Sequence, residues 1–165
     1  MKAGLLFISL FFISVGMKAQ SVPDDEPVYV LDSVVVPQSA MEKLTPDMIG
    51  LITVAKGSKA VEKYGKQAEN GVMYIETKPF AHKRVNEFLK QASPAYDSLY
   101  RKYGSDSSFY IVINGKPVTP TNEALFVTLG PRSFRSLEVI SGKEAQKKYE
   151  VKDRVAGVII ISSEE

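Results

Sequence analysis

The chain has 165 residues, 44% of them hydrophobic and 24% charged, with no cysteine, no tryptophan and a single histidine, His82. A formal charge of +2 without a concentrated basic footprint excludes an ordinary nucleic-acid partner. The missing cysteines exclude disulfides and thiol-linked lipid attachment, and with one histidine they argue against a zinc or iron–sulfur site, so no metal or other cofactor is expected.

Residues 1–19 have the layout of a secretory signal peptide. Lys2 gives a positive start, Leu5 to Val15 is an apolar run too short to span a bilayer, and Ala19 offers a small residue at the expected cleavage point. Loss of Lys2 and Lys18 would leave 19 basic residues against 19 acidic ones, a neutral mature chain. About 145 residues then remain, enough for one domain or two very small ones. No later apolar stretch is long enough for a spanning helix, so no integral membrane insertion is expected after cleavage.

Residues 20–27 read as a polar lead-in. Val28 to Leu31, Asp32-Ser33 and Val34 to Val36 form a hairpin pattern with a weak turn. A short polar stretch, Ser39 to Leu44, ends at Pro46. Ile49, Ile52 and Val54 mark the next strand, Gly57 a strand-to-helix turn, and Ser58 to Tyr64 a short helix. Gly71 opens a strand over Val72 to Thr77. Pro79 to Ser108 carries apolar residues at helical spacing and reads as two helices broken near Ser93-Pro94, where proline disfavours continuation. Phe109 to Ile113, Asn114-Gly115 and Lys116 to Val118 form a clearer hairpin, because both turn residues tolerate positive φ. Thr121 to Leu129, a strand over Phe134 to Val139, Gly142, a helix over Lys143 to Tyr149, Gly157 and a strand over Val158 to Ser162 complete the order. The last strand is apolar on both faces, which predicts a central, doubly covered position.

The order occurs twice. Leu44 to Glu69 aligns with Leu129 to Arg154 at a constant offset of 85, with identities at Leu44/Leu129, Pro46/Pro131, Val54/Val139, Gly57/Gly142, Ala60/Ala145, Lys63/Lys148 and Tyr64/Tyr149. GVMYI from Gly71 aligns with GVIII from Gly157 at offset 86, implying a one-residue insertion. Gly57, Tyr64 and Gly71, with Gly142, Tyr149 and Gly157, are the repeated structural positions. Both tyrosines are expected to be mostly buried. The predicted fold is α+β: two βαβ-like repeats (20–78 and 109–165), each a hairpin, strand, short helix and strand, joined by a helical insert (79–108).

The first copy resembles the plug-domain segment of Bacteroidetes TonB-dependent receptors. The matching positions are Pro27, Tyr29, Val30 and Asp32; Leu44, Pro46, Met48, Ile49, Ile52, Val54 and Lys56; Ala60, Tyr64 and Gly65; and Asn70, Gly71, Val72, Ile75, Thr77 and Lys78. The second copy is a looser version, and the helical insert is not covered. Ser33 stands where the pattern has a turn glycine, and Glu150 where it has the glycine after the tyrosine. A receptor barrel needs many more strands, so the resemblance implies a plug-like module and an envelope setting, not transport.

Candidate chemistry is sparse. His82 has no G-x-S-x-G elbow to serve. The acidic groups Asp24-Asp25-Glu26 and Glu164-Glu165 read as solvated tails. Gly57-Ser58-Lys59 and Gly142-Lys143-Glu144 lack the phosphate-loop pattern, and the basic residues from Lys143 to Arg154 read as a solvated helix face. Two functions therefore stand open. One is a non-catalytic periplasmic module that binds another cell-envelope protein, with Val28, Tyr29, Val30 and Leu31 as an exposed edge open to strand addition. The other is an exported hydrolase with a dispersed site.

Overall fold

The computed structural model describes residues 26–163. The expected signal peptide and both acidic tails, apart from Glu26, lie outside them. The fold is α+β, with two four-stranded mixed sheets and no barrel among the described residues. Strands β1 (Val28–Leu31), β2 (Val34–Val36), β3 (Ile49–Ala55) and β4 (Val72–Thr77) form the first sheet in the order β2-β1-β4-β3. Strands β5 (Phe109–Ile113), β6 (Lys116–Pro117), β7 (Phe134–Ser141) and β8 (Ala156–Ser162) form the second in the order β6-β5-β8-β7. In each sheet the hairpin's first strand runs parallel to the last strand, which is antiparallel to the third.

Local chemistry sets the element boundaries. The Asp32-Ser33 and Asn114-Gly115 turns hold positive φ at both residues, as a two-residue hairpin requires. In both copies the first turn side chain also ties down the end of the central strand. The Asp32 carboxylate accepts from the Thr77 N–H and hydroxyl, both at 2.8 Å, and Asn114 Oδ1 accepts from the Ser162 N–H at 2.9 Å. Helix α1 (Ser58–Tyr64) starts at Gly57. Helix α2 (Lys78–Ala92) carries a proline in its first turn and stops at Ser93. The Ser93 hydroxyl accepts from the Tyr96 N–H to cap α3 (Pro94–Tyr103), which ends on left-handed Gly104. A short helix, α4 (Ala124–Val127), precedes β7.

Helix α5 (Gly142–Tyr149) opens on a capping box. Ser141 Oγ accepts from the Glu144 N–H, and the Glu144 carboxylate accepts from the Ser141 N–H at 2.8 Å. The Ser141 N–H and hydroxyl both donate to that carboxylate and hold it below its ordinary range.

The register corrects the repeat alignment. Val54 pairs with Met73 and Val139 with Val158; Ile49 pairs with Thr77 and Phe134 with Ser162. Every equivalence in these ladders keeps the offset of 85, including the slips between Ile49 and Leu51 and between Phe134 and Ser136. There is no inserted residue. Gly71 therefore corresponds to Ala156, and Gly157 to Val72. Gly71 is a turn glycine with φ of 100°, whereas Gly157 lies inside β8 with Ile140 and Ala145 against it. The shared Gly-Val dipeptide is a coincidence of sequence.

Two more expectations change. Tyr64 and Tyr149 are half-buried, each resting on another tyrosine at the sheet surface: Tyr64 on Tyr74 of β4 and Tyr149 on Tyr110 of β5. Tyr64→Ala should therefore cost about 1–2 kcal/mol in a urea melt, below the 3–5 kcal/mol of a fully buried ring. Strand β8 is central, but only one face is fully covered; Ile161 is 46% exposed.

The helical insert is not a spacer. Val85, Leu89 and Tyr96 of α2 and α3 are fully buried, packing with Phe109, Ile113, Val158 and Ile160 of the second sheet and with Phe126 and Leu129. The second copy and the insert share this core. The smaller core of the first copy is Val28, Val30, Ala60, Ala68 and Val72, on the α1 side of its sheet.

Candidate functional site

The residues expected at an exposed edge, Val28, Tyr29, Val30 and Leu31, form β1, and β1 is not an edge. It pairs with β2 on one side and β4 on the other. A long-range parallel pairing closes it, and nothing in the local sequence announces that pairing. Val28 and Val30 are buried toward α1, while Tyr29 and Leu31 are half-buried on the opposite face.

The free edge lies one strand over, at β2. Its residues are three valines, with Val34 62% and Val35 53% exposed. Val35 sits opposite Val30 and Val34 opposite Leu31 across the two-residue turn. Residues flanking such a turn exchange both backbone bonds, and the next pair does not. The Val35 N–H and C=O therefore point away from β1, toward open solvent. The second copy shows the same pattern, with the Val118 N–H donating to the Ile111 oxygen at 2.9 Å.

The matching edge of the second copy is blunted. Pro117 pairs with Val112 where Val35 pairs with Val30, and Lys116 stands where Val34 does. Proline has no N–H to offer and lysine carries a charge, two recognised ways of closing a sheet edge. One copy thus presents an open valine edge, and the other a closed one.

The sheet faces differ in the same sense. Ile52 and Ile75, Val54 and Met73, and Tyr29 and Leu31 share the face of the first sheet that points away from α1. Ile52 is 50% and Val54 55% exposed. The segment around Gln38, Met41 and Leu44 lies over part of this face, where Ile75 is buried, and borders a groove of about 280 Å³ lined also by Tyr29, Ile49, Ile52, Met73 and Ile75. In the second sheet the equivalent residues, Leu137, Val139, Val158, Ile160, Ile111 and Ile113, pack under α2 and α3.

The repeated glycines do two jobs. Gly57 has φ of 90° and ψ of −168°, a region essentially confined to glycine, with no neighbour where a Cβ would sit. Gly142 has no such dihedral, but its Cβ would lie against the Arg154 carbonyl oxygen. Lys63 lies beside the Tyr64–Tyr74 pair. The Tyr74 hydroxyl bond, with Lys63 helping, lowers the Tyr64 phenol, and the bond to Tyr64 raises Tyr74.

The chain folds His82 between two carboxylates that the sequence separates widely. Its Nε2 lies 2.6 Å from Glu123 Oε1 and its Nδ1 3.9 Å from Asp106. Lys78 also reaches Glu123, at 3.3 Å. A groove of about 310 Å³ runs beside them, with Phe109, Ile111 and Val118 in its lining. The histidine's hydrogen bond goes to a carboxylate rather than to a hydroxyl it could activate. The cluster ties α2 to the segment before α4 and to the approach to β5. Among the described residues no group of His, Asp and Glu side chains has the arrangement of a metal site, and no helix is long and apolar enough to cross a membrane.

No family model, curated protein or solved structure matches the chain.

Proposed function

We propose that the protein is a non-catalytic interaction module of the cell envelope, exported to the periplasm, that binds another envelope protein by strand addition along β2. The observation that carries this reading is the contrast between Val34-Val35-Val36 and Lys116-Pro117 at equivalent edges of two copies of one fold. An extended partner segment would take the outward N–H and C=O of Val35 as its first ladder bonds, with the exposed valines supplying apolar contact. The leader-like residues 1–19 and the plug-like order of motifs in the first copy support the envelope setting.

Val35→Pro tests the reading with the second copy's own residue. Proline there removes an outward N–H and no bond to β1, so the variant should melt within a few degrees of the parent. A photo-crosslinking residue at Val34 should give an adduct with another envelope protein in cells, and Val35→Pro should remove that adduct. An adduct of parental yield in the folded Val35→Pro protein would refute strand addition.

A further inference from the structure

We infer that two molecules of the protein pair through the outer edge of β3, joining their first sheets into one continuous sheet across a twofold axis. This surface is separate from β2, which forms the opposite edge of the same sheet.

The ladders decide which groups β3 offers. The Gly71 and Ile75 carbonyls accept from the Val28 and Asp32 N–H groups at 3.0 and 2.9 Å, so these odd-numbered residues beside and within β4 face β1. The even-numbered residues of β4 face β3, where Tyr74 stands opposite Thr53 and Val72 opposite Ala55. Successive residues of a strand turn their backbone groups to opposite sides. The N–H and C=O of Ile52 and Val54 therefore point outward, away from β4. Ile52 is 50% and Val54 55% exposed, and Thr53 between them is exposed as well. Nothing in β3 carries a charge. The start of α2 packs over the other end of the strand, where a Cβ on Gly50 would lie 3.1 Å from the Ala81 Cβ, so the open stretch runs from Ile52 to Val54.

That stretch is its own complement. Antiparallel pairing centred on Thr53 sets Ile52 of each molecule against Val54 of the other. Both such pairs exchange two backbone bonds through the outward groups. The two Thr53 side chains then meet across the axis, a pairing that hydrogen-bonds in antiparallel sheets. Ile52 and Val54 bury half-exposed apolar surface against their counterparts.

The second copy of the repeat shows what prevents such pairing and so identifies the occupant. Leu137, Glu138 and Val139 of β7 hold the register of Ile52, Thr53 and Val54, and Glu138 is exposed. Self-pairing of β7 would set two carboxylates directly opposite, which is destabilising. A foreign strand with a neutral or basic residue at that position would meet no such repulsion. Glu138 thus guards against another molecule of the same protein, and β3 lacks that guard. A twofold pair consumes both β3 edges, so it closes as a dimer instead of growing into a fibre. It leaves β2 of each molecule at an outer edge of the joined sheet, open to the partner proposed above.

Sedimentation velocity over a concentration series tests this. The contact is short, so the parent should show a reversible monomer–dimer equilibrium. Thr53→Glu and Thr53→Lys should each weaken dimerisation by about tenfold or more while leaving the thermal melt unchanged, since the side chain is exposed. Mixing the two variants should restore the dimer, because opposite charges then meet at the axis. Val35→Pro should leave dimerisation unchanged. A parent that stays monomeric throughout, a dimer indifferent to Thr53→Glu, or a mixture that stays monomeric would overturn the inference. A dimer abolished by Val35→Pro would overturn it in favour of pairing through β2.

Discussion

Tyr96→Ala should be among the most damaging single substitutions in the protein, costing about 3–5 kcal/mol by analogy with other fully buried rings. The ring is wholly buried and meets Phe109 edge-on with centroids 6.1 Å apart. Its hydroxyl donates to Asn86 Oδ1, and the Asn86 amide in turn donates to Asp106 at 3.1 Å. Truncation therefore opens a cavity and also leaves a buried amide oxygen without its donor. Tyr96→Phe isolates the second loss, about 1–3 kcal/mol for an unsatisfied buried group. Urea denaturation of the two variants gives both numbers. Burial, with the Asp106 charge, pushes the Tyr96 phenol well above its ordinary range. The folded state then holds the neutral phenol where the unfolded chain ionises near pH 10. Its contribution is full below about pH 10 and falls as pH rises beyond it. A plot of urea midpoint against pH should accordingly be flatter at its alkaline end in Tyr96→Phe.

Gly142→Ala should destabilise by at least about 3 kcal/mol, at or beyond the upper end of ordinary overpacking. The new Cβ would overlap the Arg154 carbonyl oxygen and lie 3.1 Å from that of Val155. Both obstacles are backbone, and the second belongs to a residue whose N–H is bonded to Ser108. No side-chain rotation can relieve the clash. Gly57→Ala, at the aligned position, meets no atom within 4 Å and costs only what its dihedral demands, about 1–3 kcal/mol. Thermal or urea melts of the pair should rank Gly142→Ala as the worse. Equal losses would mean that the two glycines share one cause.

Much of the fold was legible because its punctuation is local. The two-residue turns, the break at Ser93-Pro94, and the β3–α1 and β7–α5 junctions all rest on residues that act within a few positions of themselves. The capping box at Ser141 and Glu144 carried an equally local signal that places the start of α5 one residue earlier than the periodicity did. Strand order was not legible in the same way. Whether β1 is an edge depends on its parallel partner β4, some 44 residues away, and neither strand's composition records that pairing. The Gly-Val dipeptides misled because two identical residues outweighed a register that only the ladder of β3 and β4 reveals. The tyrosines misled for a related reason: helical spacing from Ala60 and Ala145 gives the correct side of the helix, but not how far the sheet extends beneath the ring.

The candidate site was legible only as a kind of surface. Sequence alone supported a strand edge, and the structure moves it from Val28–Leu31 to Val34–Val36. The distinction between Val35 and Pro117 was present in the sequence, but it gains meaning only once the two residues are known to occupy one position in two sheets. The cover on the second sheet was hidden more deeply, since α2 and α3 follow the first copy in the chain and pack on the second.

One copy is open where the other is closed, and Val54 and Val139 report on that contrast. They are the same residue at the same register, one 55% exposed and the other half-buried against the core beneath α2 and α3. Each is replaced by lysine in an otherwise unchanged protein, and unfolding free energies are measured in urea. Val54→Lys should change stability by no more than about 0.5 kcal/mol, and Val139→Lys should cost at least about 2 kcal/mol more, because a charge would be forced against a covered apolar face. Equal costs at the two positions would mean that the two faces are covered alike.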